Sequence, residues 1–79
     1  MKTLYSPESE KLCHWLRDQR IAKGLTLREA GKLLGKPHTF VAKTETGQRR
    51  LDVIEYVWYC NKIGMDAEEG LKEILNFTP

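Results

Sequence analysis

Cysteine is scarce in this sequence. The two present, Cys13 and Cys60, lie far apart and form no Cys-x-x-Cys pair. A small secreted domain stapled by disulfides carries more, at closer spacings, so both are expected to serve as small core hydrophobes. Histidine is equally sparse: His14 and His38 have no nucleophile at a recognisable spacing, and there is no glycine-rich phosphate loop. Adjacent residues on a helix point about 100° apart, so Cys13 and His14 make a poor pair of metal ligands, and no second pair completes a site. No enzymatic activity, metal, cofactor or small-molecule substrate is expected. Long apolar runs are missing too. Nothing approaches the roughly 18 residues of a membrane span, and the stretch from Met1 to Pro7 lacks a signal-peptide core. A cytoplasmic protein with no membrane partner is expected. Finally, no segment alternates at period two between turn residues, which argues against strands.

What is present fits one small α-helical domain over residues 1–79. A chain of this size buries only about 60% of the surface exposed by its unfolded form, leaving little room for a catalytic cleft. Charged residues make up 30% and hydrophobic residues 41%, ordinary values for a globular domain. The formal net charge of +2 conceals a gradient. Between Lys11 and Met65 there are 11 basic and 5 acidic residues; from Asp66 onward there are 4 acidic residues and a single lysine. A basic middle followed by an acidic tail suits contact with a polyanion, although ordinary surface charge gives the same count.

Start and stop signals divide the chain into five helices. Ser6-Pro7 offers an N-cap followed by a proline suited to the first turn. The first helix carries Leu12, Trp15, Leu16 and Gln19 near helical spacing and stops at Gly24. Thr26-Leu27-Arg28-Glu29 reads as a capping box, opening a second helix through Leu34. Gly35-Lys36-Pro37 stops it and starts a third, which runs to about Glu45, with Gly47 closing it. Asp52-Val53-Ile54-Glu55 and Asp66-Ala67-Glu68-Glu69 read as two further capping boxes. They open helices to about Ile63 and about Asn76.

The stretch 26–47 has the form of a helix-turn-helix, two short helices joined by a turn containing glycine. Such a crossing needs a small residue where the helices meet, a glycine in the turn, and an apolar residue on the second helix facing the first. Gly31, Gly35 and Val41 occupy those places. Arg20, Gly24-Leu25-Thr26, Leu33-Leu34-Gly35, Val41, Glu45-Thr46-Gly47 and Arg49-Arg50 carry the resemblance further. Over residues 12–66 the chain resembles the Cro and lambda-repressor-like family, also called the xenobiotic-response-element (XRE) family. The run from Gly35-Lys36-Pro37 through Val41 to Glu45-x-Gly47-Gln48-Arg49-Arg50-Leu51-Asp52-Val53 is similar to one bacterial branch of it. The resemblance implies an all-α, five-helix lambda-repressor-like fold and a transcription regulator that binds double-stranded DNA. There are three departures. Leu27 stands where a phosphate-contacting Gln is usual. Gly31 replaces a usual Ala, at up to ~1 kcal/mol of helix propensity. Pro37 replaces a Ser/Thr cap.

In this motif the second helix enters the major groove. Its wheel puts Val41, Thr44 and Glu45 toward the domain and His38, Thr39, Ala42, Lys43 and Thr46 outward as candidate base contacts. Lys43 can donate to guanine, Thr39 can offer its hydroxyl or methyl, and Ala42 permits close approach. Phe40 lies on the flank, free to pack against a thymine methyl or the sugar wall. By resemblance, Gln48, Arg49 and Arg50 run along the backbone, where arginines with free ends neutralise phosphate. Thr26 and Arg28, opening the first helix of the motif, can also meet phosphate, though Thr26 is explained as well by its cap. The resemblance also implies an ion pair between Arg20 and Glu45, structural in role.

The fourth helix has more apolar surface than one stripe requires: Val53, Tyr56, Val57, Cys60 and Ile63 make one face, and Ile54 with Trp58 a second. Leu71, Ile74, Leu75 and Phe77 add to this in the tail. A two-fold homodimer through the helices of 52–76 is expected, with Ile54, Trp58 or Phe77 in the contact. The alternative is that Trp58 covers an N-terminal arm with Leu4 and Tyr5. Palindromic operators suit such a dimer, and repression by promoter blocking is the simplest mechanism. The competing functional class is an antitoxin or accessory protein whose main role is binding a partner protein. RNA binding is less suited to a groove-filling helix.

Overall fold

A computed structural model describes residues 6–76. Phe77, Leu4 and Tyr5, named above as candidate contacts, lie outside the described residues. The described chain is helical throughout its regular structure: α1 Pro7–Ala22, α2 Leu27–Leu34, α3 His38–Glu45, α4 Val53–Ile63 and α5 Ala67–Leu75. None is long and apolar enough to cross a membrane.

Local chemistry accounts for the helix starts. The Ser6 hydroxyl accepts the Ser9 amide at 3.2 Å, with Pro7 in the first turn. At α2 the Glu29 amide donates to Thr26 Oγ1 (3.1 Å) and the Thr26 amide to Glu29 Oε1 (2.8 Å). At α4 the Glu55 amide donates to Asp52 Oδ1 (2.7 Å) and the Asp52 amide to Glu55 Oε1 (3.1 Å). Both are complete capping boxes. The third expected box is not one. Asp66 has ψ 108°, against 168° at Thr26 and 175° at Asp52, and its carboxylate takes the Glu68 amide instead. Glu69 lies 3.9 Å from Lys72 on its own helix.

The core collects Trp15 and Leu16 of α1, Ala30 and Leu34 of α2, and Val41 of α3. From α4 come Tyr56, Tyr59, Cys60 and Ile63, with Met65 beyond it. The buried stripe of α4 is therefore Tyr56, Tyr59, Cys60 and Ile63, while Val53 and Val57 are exposed. Of the face expected above, Tyr56, Cys60 and Ile63 are buried as expected, and Tyr59 stands in place of Val53 and Val57. Residues 53, 57 and 60 share one helical phase and 56, 59, 60 and 63 another, and the second faces the other helices. Cys60 is wholly buried; Cys13 is only partly so. Tyr56 donates its hydroxyl to the Ala67 carbonyl at 2.6 Å, tying α4 to α5. Gly70 sits directly against Tyr56 and Trp15: a Cβ there would lie 2.7 Å from the Trp15 ring.

Candidate nucleic-acid interface

The α2–α3 crossing is held by its turn. Gly35 takes φ +69°, and the amides of Lys36 and Gly35 return to the carbonyls of Gly31 (2.9 Å) and Lys32 (3.1 Å). This is a Schellman ending, in which a left-handed glycine satisfies the last carbonyls of a helix. It folds the turn back over Gly31, where an added Cβ would stand 2.7 Å from the Lys36 carbonyl oxygen and 3.3 Å from the His38 nitrogen. Gly31 thus makes room for the turn, which is more than a loss of helix propensity. Pro37 caps α3 by backbone shape alone, at φ −67° and ψ 158°, with no side-chain bond.

One side of α3 is fixed to the rest of the molecule. Val41, Thr44 and Glu45 are buried. Thr44 donates its hydroxyl back to the Phe40 carbonyl (2.8 Å), and Cys13 of α1 donates to the Thr44 carbonyl (3.3 Å). Arg20 grips Glu45 with a fork: Nε to Oε2 at 2.6 Å and Nη2 to Oε1 at 3.1 Å. Its third donor, Nη1, reaches the Leu25 carbonyl at 2.8 Å. Both side chains are largely withdrawn from solvent, at 11% and 5% exposure. A bidentate arginine–carboxylate pair is directional as well as strong, so it sets the roll of α3 about its axis. Burial raises the pKa of the Cys13 thiol, which keeps it protonated and able to donate.

The opposite side is open. Thr39, Lys43 and Thr46 are exposed, and His38 and Ala42 are half-buried. The Thr46 hydroxyl turns back onto the Ala42 (3.0 Å) and Lys43 (3.3 Å) carbonyls. Arg28 is exposed in the first turn of α2, while the Thr26 hydroxyl is taken by its cap. Gln48 and Arg50 are exposed in the loop after α3.

Arg49 departs from expectation. Its guanidinium is not a free end: Nη2 donates to Glu55 Oε2 at 2.9 Å and Nη1 to the Arg50 carbonyl at 3.2 Å. The same group lies over the Phe40 ring, 4.7 Å from its centroid. Phe40 is not a free flank either. It meets Trp58 edge to face at 6.2 Å, lies 6.3 Å from Tyr59, and carries Lys36 5.6 Å from its ring centre. The Arg49 hydrogen bond, followed by the Asp52 amide, holds the Glu55 carboxyl below its ordinary pKa. The sequence pattern marks Glu55 as a cap but not the partner of its second oxygen, because the arginine it meets lies outside the helix. Tyr59, a phenol among apolar positions, carries no sequence signal for its place beneath Phe40. Beside Trp58, Ile54 is 75% exposed.

No family model and no curated protein sequence matches the chain. Solved structures do. An XRE-family like protein from Pseudomonas syringae pv. tomato is similar with a TM-score of 0.80 and 40% identity, over 91% of this chain and 88% of that one. Two structures of the clp gene regulator ClgR from Corynebacterium glutamicum share the fold at 24% identity, with TM-scores of 0.77 and 0.75. Each match covers 89% of this chain, and 91% and 74% of theirs. The chain belongs to the XRE family of helix-turn-helix transcriptional regulators, a family without enzymatic activity.

Proposed function

We propose that this protein is a cytoplasmic, sequence-specific regulator that binds double-stranded DNA as a homodimer on a palindromic operator, with α3 in the major groove and repression as its mode of action. The observation that carries the reading is the division of α3. Val41, Thr44 and Glu45 are buried against the molecule, while Thr39 and Lys43 are left to solvent on a helix anchored from its other side. A helix held on one side and polar on the other is what reading base edges requires. Lys43 suits guanine O6 and N7, Thr39 suits a thymine methyl or a base edge, and Ala42 permits close approach. His38 reaches a base edge or a phosphate at the start of α3. Arg28, Gln48 and Arg50 flank the helix with groups suited to phosphate. Ile54, Val53 and Val57 on α4 supply exposed apolar surface for a two-fold contact.

The test is selection of binding sites from a randomised duplex pool by the purified protein at near-physiological salt. An enriched palindrome with half-sites about 34 Å apart supports both DNA reading and dimerisation. Recovery of unenriched sequence, with only salt-sensitive bulk binding, overturns the proposal and favours a partner-protein role.

A further inference from the structure

The two adjacent arginines after α3 are alike in sequence and unlike in surroundings. Arg50 is exposed, and its side chain makes no hydrogen bond or ion pair among the described residues. Arg49 is half-buried and engaged by three groups: its guanidinium lies over the Phe40 ring, donates one hydrogen bond to Glu55, and donates another to the Arg50 carbonyl. Phe40 lies on α3 and Glu55 on the first turn of α4, so one guanidinium joins the recognition helix, its following loop and the next helix. Lys36, from the turn before α3, lies over the same ring. Two cations beside one ring repel each other, and the Glu55 carboxylate, which feels both, offsets that repulsion. The ring itself rests on Trp58 and Tyr59 of α4. Both ends of α3 are thereby referred to a single aromatic side chain.

We infer that Arg49 is a positioning residue for DNA recognition, setting the loop that carries Gln48 and Arg50, and that Arg50 alone of the pair neutralises phosphate. The inference rests on the DNA-binding reading proposed above. Arg49's bond to the Arg50 carbonyl supports the division of labour, since it fixes the backbone from which the Arg50 side chain departs.

Glu55→Gln separates the two roles by sign. Glutamine can still accept the Asp52 amide, so the cap survives, but the ion pair is lost. If Arg49 were a phosphate ligand, removing a nearby negative charge and freeing the guanidinium would tighten DNA binding and steepen its salt dependence. If Arg49 positions the loop, affinity falls about tenfold, the scale of one lost charge-assisted hydrogen bond, with the salt slope unchanged. Arg49→Lys, which keeps the charge and loses the planar guanidinium that serves Glu55, the Arg50 carbonyl and the Phe40 ring together, should behave like Glu55→Gln. Arg50→Ala should lower the slope of log affinity against log salt by about 0.9, the loss of one phosphate contact.

A DNA-free readout accompanies these. In 15N–1H spectra of the free protein, the Trp58 indole signal, assigned by Trp58→Phe, should shift in Arg49→Lys and Glu55→Gln and stay in place in Arg50→Ala. That combination, with wild-type helicity by circular dichroism, is the predicted result. Tighter binding by Glu55→Gln, a reduced slope in Arg49→Lys, or an unmoved Trp58 signal each overturns the inference. If no variant binds DNA differently from bulk while the Trp58 signal moves, the clamp stands and the DNA-binding reading fails.

Discussion

Glu45 would repel phosphate as an isolated surface carboxylate. Its charge is taken up instead by Arg20, with both side chains almost out of water. Removing one partner of such a pair leaves the other charge buried and uncompensated. Glu45→Ala is therefore predicted to lower stability by about 3 kcal/mol in urea unfolding, with loss of DNA binding as a consequence. Wild-type stability with lost binding would assign Glu45 a direct role at the interface. Tyr59 presents the opposite case. It is fully buried, and its hydroxyl has no hydrogen-bond partner among the described residues. Burial also raises its pKa, so it stays neutral. An unsatisfied buried hydroxyl costs about 1 kcal/mol or more. Tyr59→Phe should accordingly unfold at the same or a higher temperature than wild type. A clear loss of stability would reveal a partner for the phenol.

Single helices were legible where their signals were local. Ser6-Pro7, Thr26 with Glu29, Asp52 with Glu55, and Gly35 each fix a boundary within a few residues of themselves, and the structure keeps those boundaries. What failed depended on the third dimension. The box at Asp66 needed a backbone angle its sequence does not encode. The buried face of α4 was chosen between two equally spaced stripes by the helices around it. The partners of Arg49 lie nine residues back at Phe40 and six ahead at Glu55, so no local pattern announces them. Gly31 shows how far propensity and packing can diverge. By helix propensity alone, Gly31→Ala should stabilise α2 by up to ~1 kcal/mol. The 2.7 Å approach to the Lys36 carbonyl is to backbone that the turn holds in place, and overpacking of that kind typically costs ~1–3 kcal/mol. Net destabilisation is predicted in chemical denaturation; a more stable variant would mean that the turn yields easily.

At the scale of the whole molecule, basic residues concentrate through the helix-turn-helix and its flanks, while the last helix is acidic. Among the described residues five helices enclose one core, and two surfaces remain conspicuous: the polar outer side of α3 and the apolar outer side of α4. Phe40 and Trp58 touch between them. The α4 surface is the element's contribution to self-association in the proposed function. Ile54→Glu, at a position 75% exposed, should leave folding intact and shift sedimentation from dimer to monomer. Unchanged sedimentation would move the dimer contact elsewhere or remove it.

The central claim is that α3 reads bases. Lys43→Ala tests it most directly, with affinity measured at one salt concentration on the selected site and on a scrambled duplex of equal length. A base contact predicts a loss of about tenfold or more on the selected site, equivalent to one direct readout contact, and a much smaller loss on the scrambled one. Equal losses on both duplexes would make Lys43 a phosphate ligand and contradict the placement of α3 in the groove.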